Sequence, residues 1–186
     1  MITNLPDRIF LCGFMGAGKT TIGKVLAEKL EQSFMDLDQF IEHEQGLSIP
    51  EIFENEGEDA FRALERSAIR KAIRTFKGII ALGGGSLQDQ HILDHIKLNG
   101  LLIFIETPFS VIFERIKNNT KRPLLLDDGG SPKSKDVLQA ELKALYQQRM
   151  PLYEQAVIQI DSSKFDDVDS LSDKLIRKIK NHVSDH

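Results

Sequence analysis

Tryptophan is absent from these 186 residues, and cysteine occurs only once, as Cys12. A single cysteine forbids an internal disulfide and suits a reducing compartment. Long apolar runs are missing as well: stretches such as Leu101 to Ile105 are far too short to cross a bilayer. The first seven residues have neither the cationic start nor the apolar core of an export signal, so a cytoplasmic location and no membrane partner are expected. Nor is there a basic surplus. With 24 Lys and Arg against 28 Asp and Glu, the formal charge is −4, which disfavours a nucleic acid partner. A local basic pocket for a small anion fits that total. What remains is the composition of an ordinary globular protein, 41% apolar and 28% charged, suited to one domain over residues 1–186.

Short apolar runs alternate with longer segments of helical period, the pattern of a parallel sheet covered by helices. The runs are Ile9–Cys12, Ser33–Met35, Gly78–Leu82, Leu101–Ile105 and Val157–Ile160. Five such strands predict an α/β fold, a three-layer αβα domain with a five-stranded parallel sheet. Helices are expected from Lys19 to Glu31, from a Ser48-Ile49-Pro50-Glu51 start, from Phe61 to Arg74, from Pro108 to about Asn118, and from Val168 to His182. Residues 117–135 break the rhythm with Gly, Pro and small polar residues around Arg122-Pro123-Leu124-Leu125. A lid that closes on a ligand fits this stretch, and so does plain disorder. No extra apolar helix face is evident, so a monomer is the default.

Gly13-Phe14-Met15-Gly16-Ala17-Gly18-Lys19-Thr20 matches G-x-x-x-x-G-K-[ST] at every fixed position, between an apolar strand and an amphipathic helix. In that pattern the glycines let successive N–H groups converge on nucleotide phosphates. Lys19 then reaches the outer phosphates, and the Thr20 hydroxyl can ligate Mg²⁺. Asp36-Leu37-Asp38 falls at the carboxyl end of a strand, where crevices of open α/β sheets form. If the strand persists, both carboxylates face one side, one toward a metal shell and one toward an acceptor hydroxyl. A helix cap at Asp38 is the plainer alternative.

Arg62 stands near a helix start, an unfavourable place for a cation unless it has a task, and Glu65 lies one turn on. Gly83-Gly84-Gly85 ends a strand and can bring backbone N–H groups to an anion, or merely turn the chain. Arg149, before Pro151-Leu152-Tyr153, taken alone belongs on the surface. His91 and His95 are spaced i, i+4 but lack any metal-site context and read as solvated helix residues.

Together these segments, with Gly57-Glu58-Asp59-Ala60-Phe61-Arg62-Ala63-Leu64-Glu65, resemble the shikimate kinase family from about Ile9 to Ile160. The resemblance implies ATP-dependent phosphorylation of the shikimate 3-hydroxyl, with Mg²⁺. ATP would be held by Gly16, Ala17, Gly18, Lys19, Thr20 and Thr21, with Arg115 near adenine. Arg122 would come down with the lid onto the transferring phosphate. Thr20 and, through water, Asp36 would serve the metal. Asp38 would orient or deprotonate the attacking hydroxyl, and Lys19, Asp38 and Arg122 would form the catalytic set. Arg62, Arg149 and the Gly83, Gly84 and Gly85 turn would hold the acceptor's carboxylate, in a substrate-binding region spanning about 36–64. The sequence departs from the family after its last strand, where an arginine is frequent and Asp161-Ser162-Ser163-Lys164 stands instead, and at Leu82, where many relatives carry a hydroxyl. Other small-molecule P-loop kinases (for gluconate or nucleoside monophosphates) and a non-catalytic nucleotide-binding module are the alternatives.

Overall fold

The computed structural model describes residues 5–117 and 133–184. Strands β1 (Arg8–Cys12), β2 (Phe34–Asp36), β3 (Gly78–Ala81), β4 (Leu101–Glu106) and β5 (Ile158–Asp161) form one parallel sheet in the order β2-β3-β1-β4-β5. Each expected strand is present within a residue of its expected ends. Parallel neighbours need long crossovers, which among the described residues run through α1 (Lys19–Leu30), α2 (Leu37–Gln45), α3 (Ile49–Thr75), α4 (Gln90–Asn99), α5 (Phe109–Ile116) and α6 (Lys135–Tyr153), while α7 (Val168–Ser184) follows the last strand.

The period-two alternation of strand side chains splits the interior into two cores. Ile9, Leu11, Ile103 and Ile105 face α1 and α7, where every buried apolar side chain is Ala, Ile or Leu. Phe10, Cys12, Leu102 and Phe104 point the other way, into the core shared by α2 to α6. The strand ends converge at one edge of the sheet: Cys12 runs into the phosphate loop, Ala81 into the glycine turn, Glu106 into Thr107 and Asp161 into Ser162. The crevice at this edge holds the site.

The local structure departs from the sequence expectations at two places. The helix expected from Phe61 is the second part of α3, which starts at the Ser48 capping box with Glu51 and breaks at Gly57 (φ 84°, ψ 175°), a backbone region open almost only to glycine. Strand geometry ends at Asp36 rather than continuing through Asp38, because the chain turns directly into α2. It is Asp36, not Asp38, that caps this helix, its Oδ1 accepting from Asp38 N at 3.1 Å and Gln39 N at 3.3 Å. The expected lid falls mainly in residues 118–132, outside the described residues together with Arg122; Lys117 closes α5 and Lys135 opens α6.

Candidate active site

The phosphate loop bends where Gly16 (φ 78°) and Gly18 (φ 90°) adopt left-handed backbone, and Gly18 opens α1. A side chain at Gly16 would also strike Ile116 at 2.7 Å, so both conformation and space demand glycine there. Lys19 is buried and curls back over the loop, its Nζ donating to the Gly13 and Phe14 carbonyls at 2.8 and 3.0 Å. Thr20 Oγ1 donates to Asp36 Oδ2 at 2.6 Å, joining the loop to the end of β2. Asp36 thus caps α2 with one oxygen and holds Thr20 with the other.

A cleft of about 560 Å³ opens over these groups. Gly16, Ala17, Gly18, Lys19, Thr20, Thr21, Asp36, Asp38, Gly84 and Arg115 all line it, so most of the residues singled out from the sequence meet in one space. Its volume lies in the range of small-molecule sites. At its far end stand Ser162, Phe165 and Asp166, from the chain between β5 and α7. Arg115 reaches the Gly16 carbonyl with Nη1 at 3.0 Å. Lys164, standing where relatives often carry arginine, pairs with Asp161 at 3.3 Å and does not line the cleft. Thr107, 1% exposed, ties this end together, with its Oγ1 2.6 Å from Ser162 Oγ and 3.4 Å from the Ala17 carbonyl.

The second wall is ionic. Arg62 Nη1 donates to Glu65 Oε2 at 2.8 Å, and its Nη2 and Nε reach Glu58 Oε1 at 3.1 and 3.3 Å. Glu65 is buried, and its other oxygen accepts from Ser86 Oγ at 2.6 Å. Burial opposes the Arg62 charge, but Glu65 and then Glu58 outweigh it and hold the guanidinium above its ordinary value. The break at Gly57 puts Glu58 in the first turn of the renewed helix, offsetting the awkward position of Arg62 near its start.

Arg149 is not a surface residue. It is 7% exposed, lies over the Phe14 ring at 5.7 Å and donates through Nη1 to the Gly84 carbonyl at 3.0 Å. Burial pulls this guanidinium below its ordinary value, and nearby Arg62 acts in the same direction against Tyr153. The glycine turn threads between these groups. A Cβ on Gly83 would lie 2.7 Å from Asp38 Oδ1 and 2.9 Å from Glu65 Oε1, and one on Gly85 would lie 2.6 Å from Arg62 Nη1.

Hard oxygen donors at Thr20 and Asp36 suit Mg²⁺, which binds few protein groups and completes its shell with phosphates and water. No cluster of three His, Cys, Asp or Glu that could hold a metal ion occurs among the described residues.

The family model for shikimate kinase matches residues 15–182. Shikimate kinases of Persephonella marina (40% identical, spanning 83% of this chain and 88% of the relative) and Salinibacter ruber (39%, spanning 86% and 78%) are similar in sequence. The structure of the Acinetobacter baumannii shikimate kinase in complex with shikimate superposes with a TM-score of 0.85 at 31% identity, covering 95% of this chain and 94% of that one. This chain belongs to the shikimate kinase family.

As a shikimate kinase family member it is an ATP-dependent kinase, and both the parallel sheet and the phosphate loop read from the sequence are accounted for. Several residues of the site have no counterpart in the sequence reading. Tyr153 donates its hydroxyl to the Gly84 carbonyl, Ser86 holds Glu65, and Thr107 holds Ser162. Tyr153 had a usable signal, since it stands four residues after Arg149 and so shares its helix face. Ser86 and Thr107 had none, because a hydroxyl next to a strand end looks like any loop residue.

Proposed function

We propose that the chain transfers the γ-phosphoryl group of ATP to the 3-hydroxyl of shikimate, giving shikimate 3-phosphate, with Mg²⁺ as cofactor. It works as a cytoplasmic monomer whose single P-loop kinase domain spans residues 1–186. One observation carries the acceptor reading. At Gly83, the Asp38 and Glu65 carboxylates both come within 3 Å of the same point, and Glu65 holds Arg62. Through Glu65, a proton acceptor and a carboxylate-binding cation thus belong to one wall, an arrangement suited to a small hydroxylated acid.

The roles follow from position and charge. The N–H groups of Gly16 to Thr21 and the Lys19 ammonium bind the phosphates, and Arg115 borders the base. Thr20, and Asp36 through a water, hold Mg²⁺, which neutralises charge on the phosphate oxygens when bound. Asp38 accepts a hydrogen bond from the acceptor hydroxyl and takes its proton as the oxygen attacks phosphorus. Arg62 and Arg149 fix the carboxylate, for which forked donors are well shaped, beside the Gly83, Gly84 and Gly85 turn. Such fixing turns an encounter between two molecules into an oriented one. Arg122, outside the described residues, is assigned to the transferring phosphate by the family resemblance alone, in a lid over residues 117–135 that excludes water.

A coupled ADP-release assay with shikimate, gluconate, AMP and no acceptor tests the reading. Shikimate alone should raise turnover above background. Equal rates with all four would overturn the acceptor assignment while leaving nucleotide binding in place.

A further inference from the structure

The acceptor wall contains a donor that the proposed contacts do not use. Tyr153 is the last residue of α6 and 1% exposed, with its ring stacked on Phe104 at a centroid distance of 5.3 Å. Its hydroxyl donates to the Gly84 carbonyl, the oxygen that also takes Arg149 Nη1 at 3.0 Å. A carbonyl has room for two donors, but one is enough to keep it satisfied. Arg149, in turn, has unspent capacity: its Nε is buried with no hydrogen-bond partner among the described residues. A buried guanidinium with an unused donor is primed for an anion.

The difficulty lies with the carbonyl. A carboxylate drawing Arg149 toward itself takes a donor from Gly84, and a part-buried carbonyl left without one opposes the move. We infer that Tyr153 is a positioning residue for the acceptor, its hydroxyl holding the Gly84 carbonyl so that Arg149 can turn to the acceptor's carboxylate at little cost. This rests on the carboxylate role proposed above for Arg149. Burial pushes the Tyr153 hydroxyl well above its ordinary pKa, so the proton it donates is present throughout the neutral range. The stacking on Phe104 fixes the ring, and so the place of the hydroxyl oxygen, which interacts with Arg149 as well as with Gly84.

Tyr153→Phe removes one oxygen and keeps the ring. The shikimate KM should rise about three- to tenfold, the effect expected of one orphaned part-buried carbonyl. The ATP KM and kcat at saturating shikimate should stay within about twofold, the pattern for lost uniform binding of one substrate. Binding of the neutral carboxamide analogue of shikimate, measured by calorimetry, separates positioning from general distortion. With no anion to draw Arg149, wild type and variant should bind the amide equally. An unchanged shikimate KM, or an equal loss for acid and amide, overturns the inference. Should the variant not fold, the wild type still decides by NMR. Shikimate should shift the Arg149 Nε–H resonance while the Tyr153 hydroxyl proton stays in slow exchange, and loss of that protection overturns the inference. Absence of shikimate-dependent turnover in the wild type would instead remove the acceptor reading, and this inference with it.

Discussion

Gly85→Ala separates the stability of this protein from its acceptor chemistry. Gly85 does not hold a positive φ, so its backbone suits an alanine. Such a change ordinarily stabilises by about 0.4–1 kcal/mol, through the unfolded chain. The added methyl, however, would lie 2.6 Å from Arg62 Nη1, 2.8 Å from Arg62 Nη2 and 2.8 Å from Gln88 Nε2. Ordinary contact begins near about 3.5 Å, so the guanidinium must retreat by about 1 Å. Each atom met is the tip of a long side chain, so the backbone need not shift, and the cost falls on the Arg62–Glu65 pair, about 1–3 kcal/mol. For the acceptor the same movement is large. A misplacement of about 1 Å in a positioning group is worth up to about 100-fold in rate. We therefore expect kcat/KM for shikimate to fall by about 10- to 100-fold while the ATP KM holds. Coupled ADP release with each substrate varied in turn, alongside a thermal melt, gives both readings. A folded variant with wild-type kcat/KM for shikimate would refute the placement of Arg62 on the acceptor.

Asp38→Asn should lower kcat by about 10²- to 10⁴-fold, the usual worth of a general base, with ATP affinity measured by calorimetry unchanged. Collapse of ATP affinity would show that the roles of Asp36 and Asp38 are divided wrongly. Thr20→Val keeps the shape but deletes the hydroxyl bonded to Asp36 at 2.6 Å, and should raise the Mg²⁺ concentration needed for half-maximal turnover by about 10- to 100-fold. An unaltered Mg²⁺ titration would place the metal elsewhere. The Cys12 thiol, 1% exposed, is pushed up to about 12 by burial, against a smaller opposing pull from Lys19. A raised thiol pKa means a neutral thiol at pH 8, so iodoacetamide should label the protein only in denaturant; rapid labelling of the native protein, read by mass spectrometry, would contradict that burial.

How much of the fold and site was legible in the residues depended on whether the signal was local. The phosphate loop is a contiguous pattern between a strand and a helix, and Lys19, Thr20 and their neighbours came together as the pattern requires. The five strands were legible because their apolar runs are of strand length and alternate with longer segments of helical period. Where the decision lay in tertiary contact, local rules went astray. A single residue separates Asp36 from Asp38 in either conformation, and only the abrupt start of α2 decides which of them caps the helix. Arg149 reads as surface until the glycine turn and the Phe14 ring close over it. A glycine at position 57 permits a break in α3 without dictating one, since its backbone angles are chosen by the packing of the helix on either side.

The sheet that divides the interior leaves both tyrosines on one side. The chain has two tyrosines and no tryptophan, and both tyrosines are on α6. Tyr146 packs edge-on to Phe14 of the phosphate loop at 5.5 Å and donates to the Thr107 carbonyl at 3.1 Å, while Tyr153 binds Gly84. Across the sheet, the fully buried apolar side chains under α1 and α7 are all aliphatic. The ultraviolet emission of this protein is therefore an optical record of one side only. It brightens or dims with the phosphate loop and the glycine turn, and stays dark to any loosening of α7.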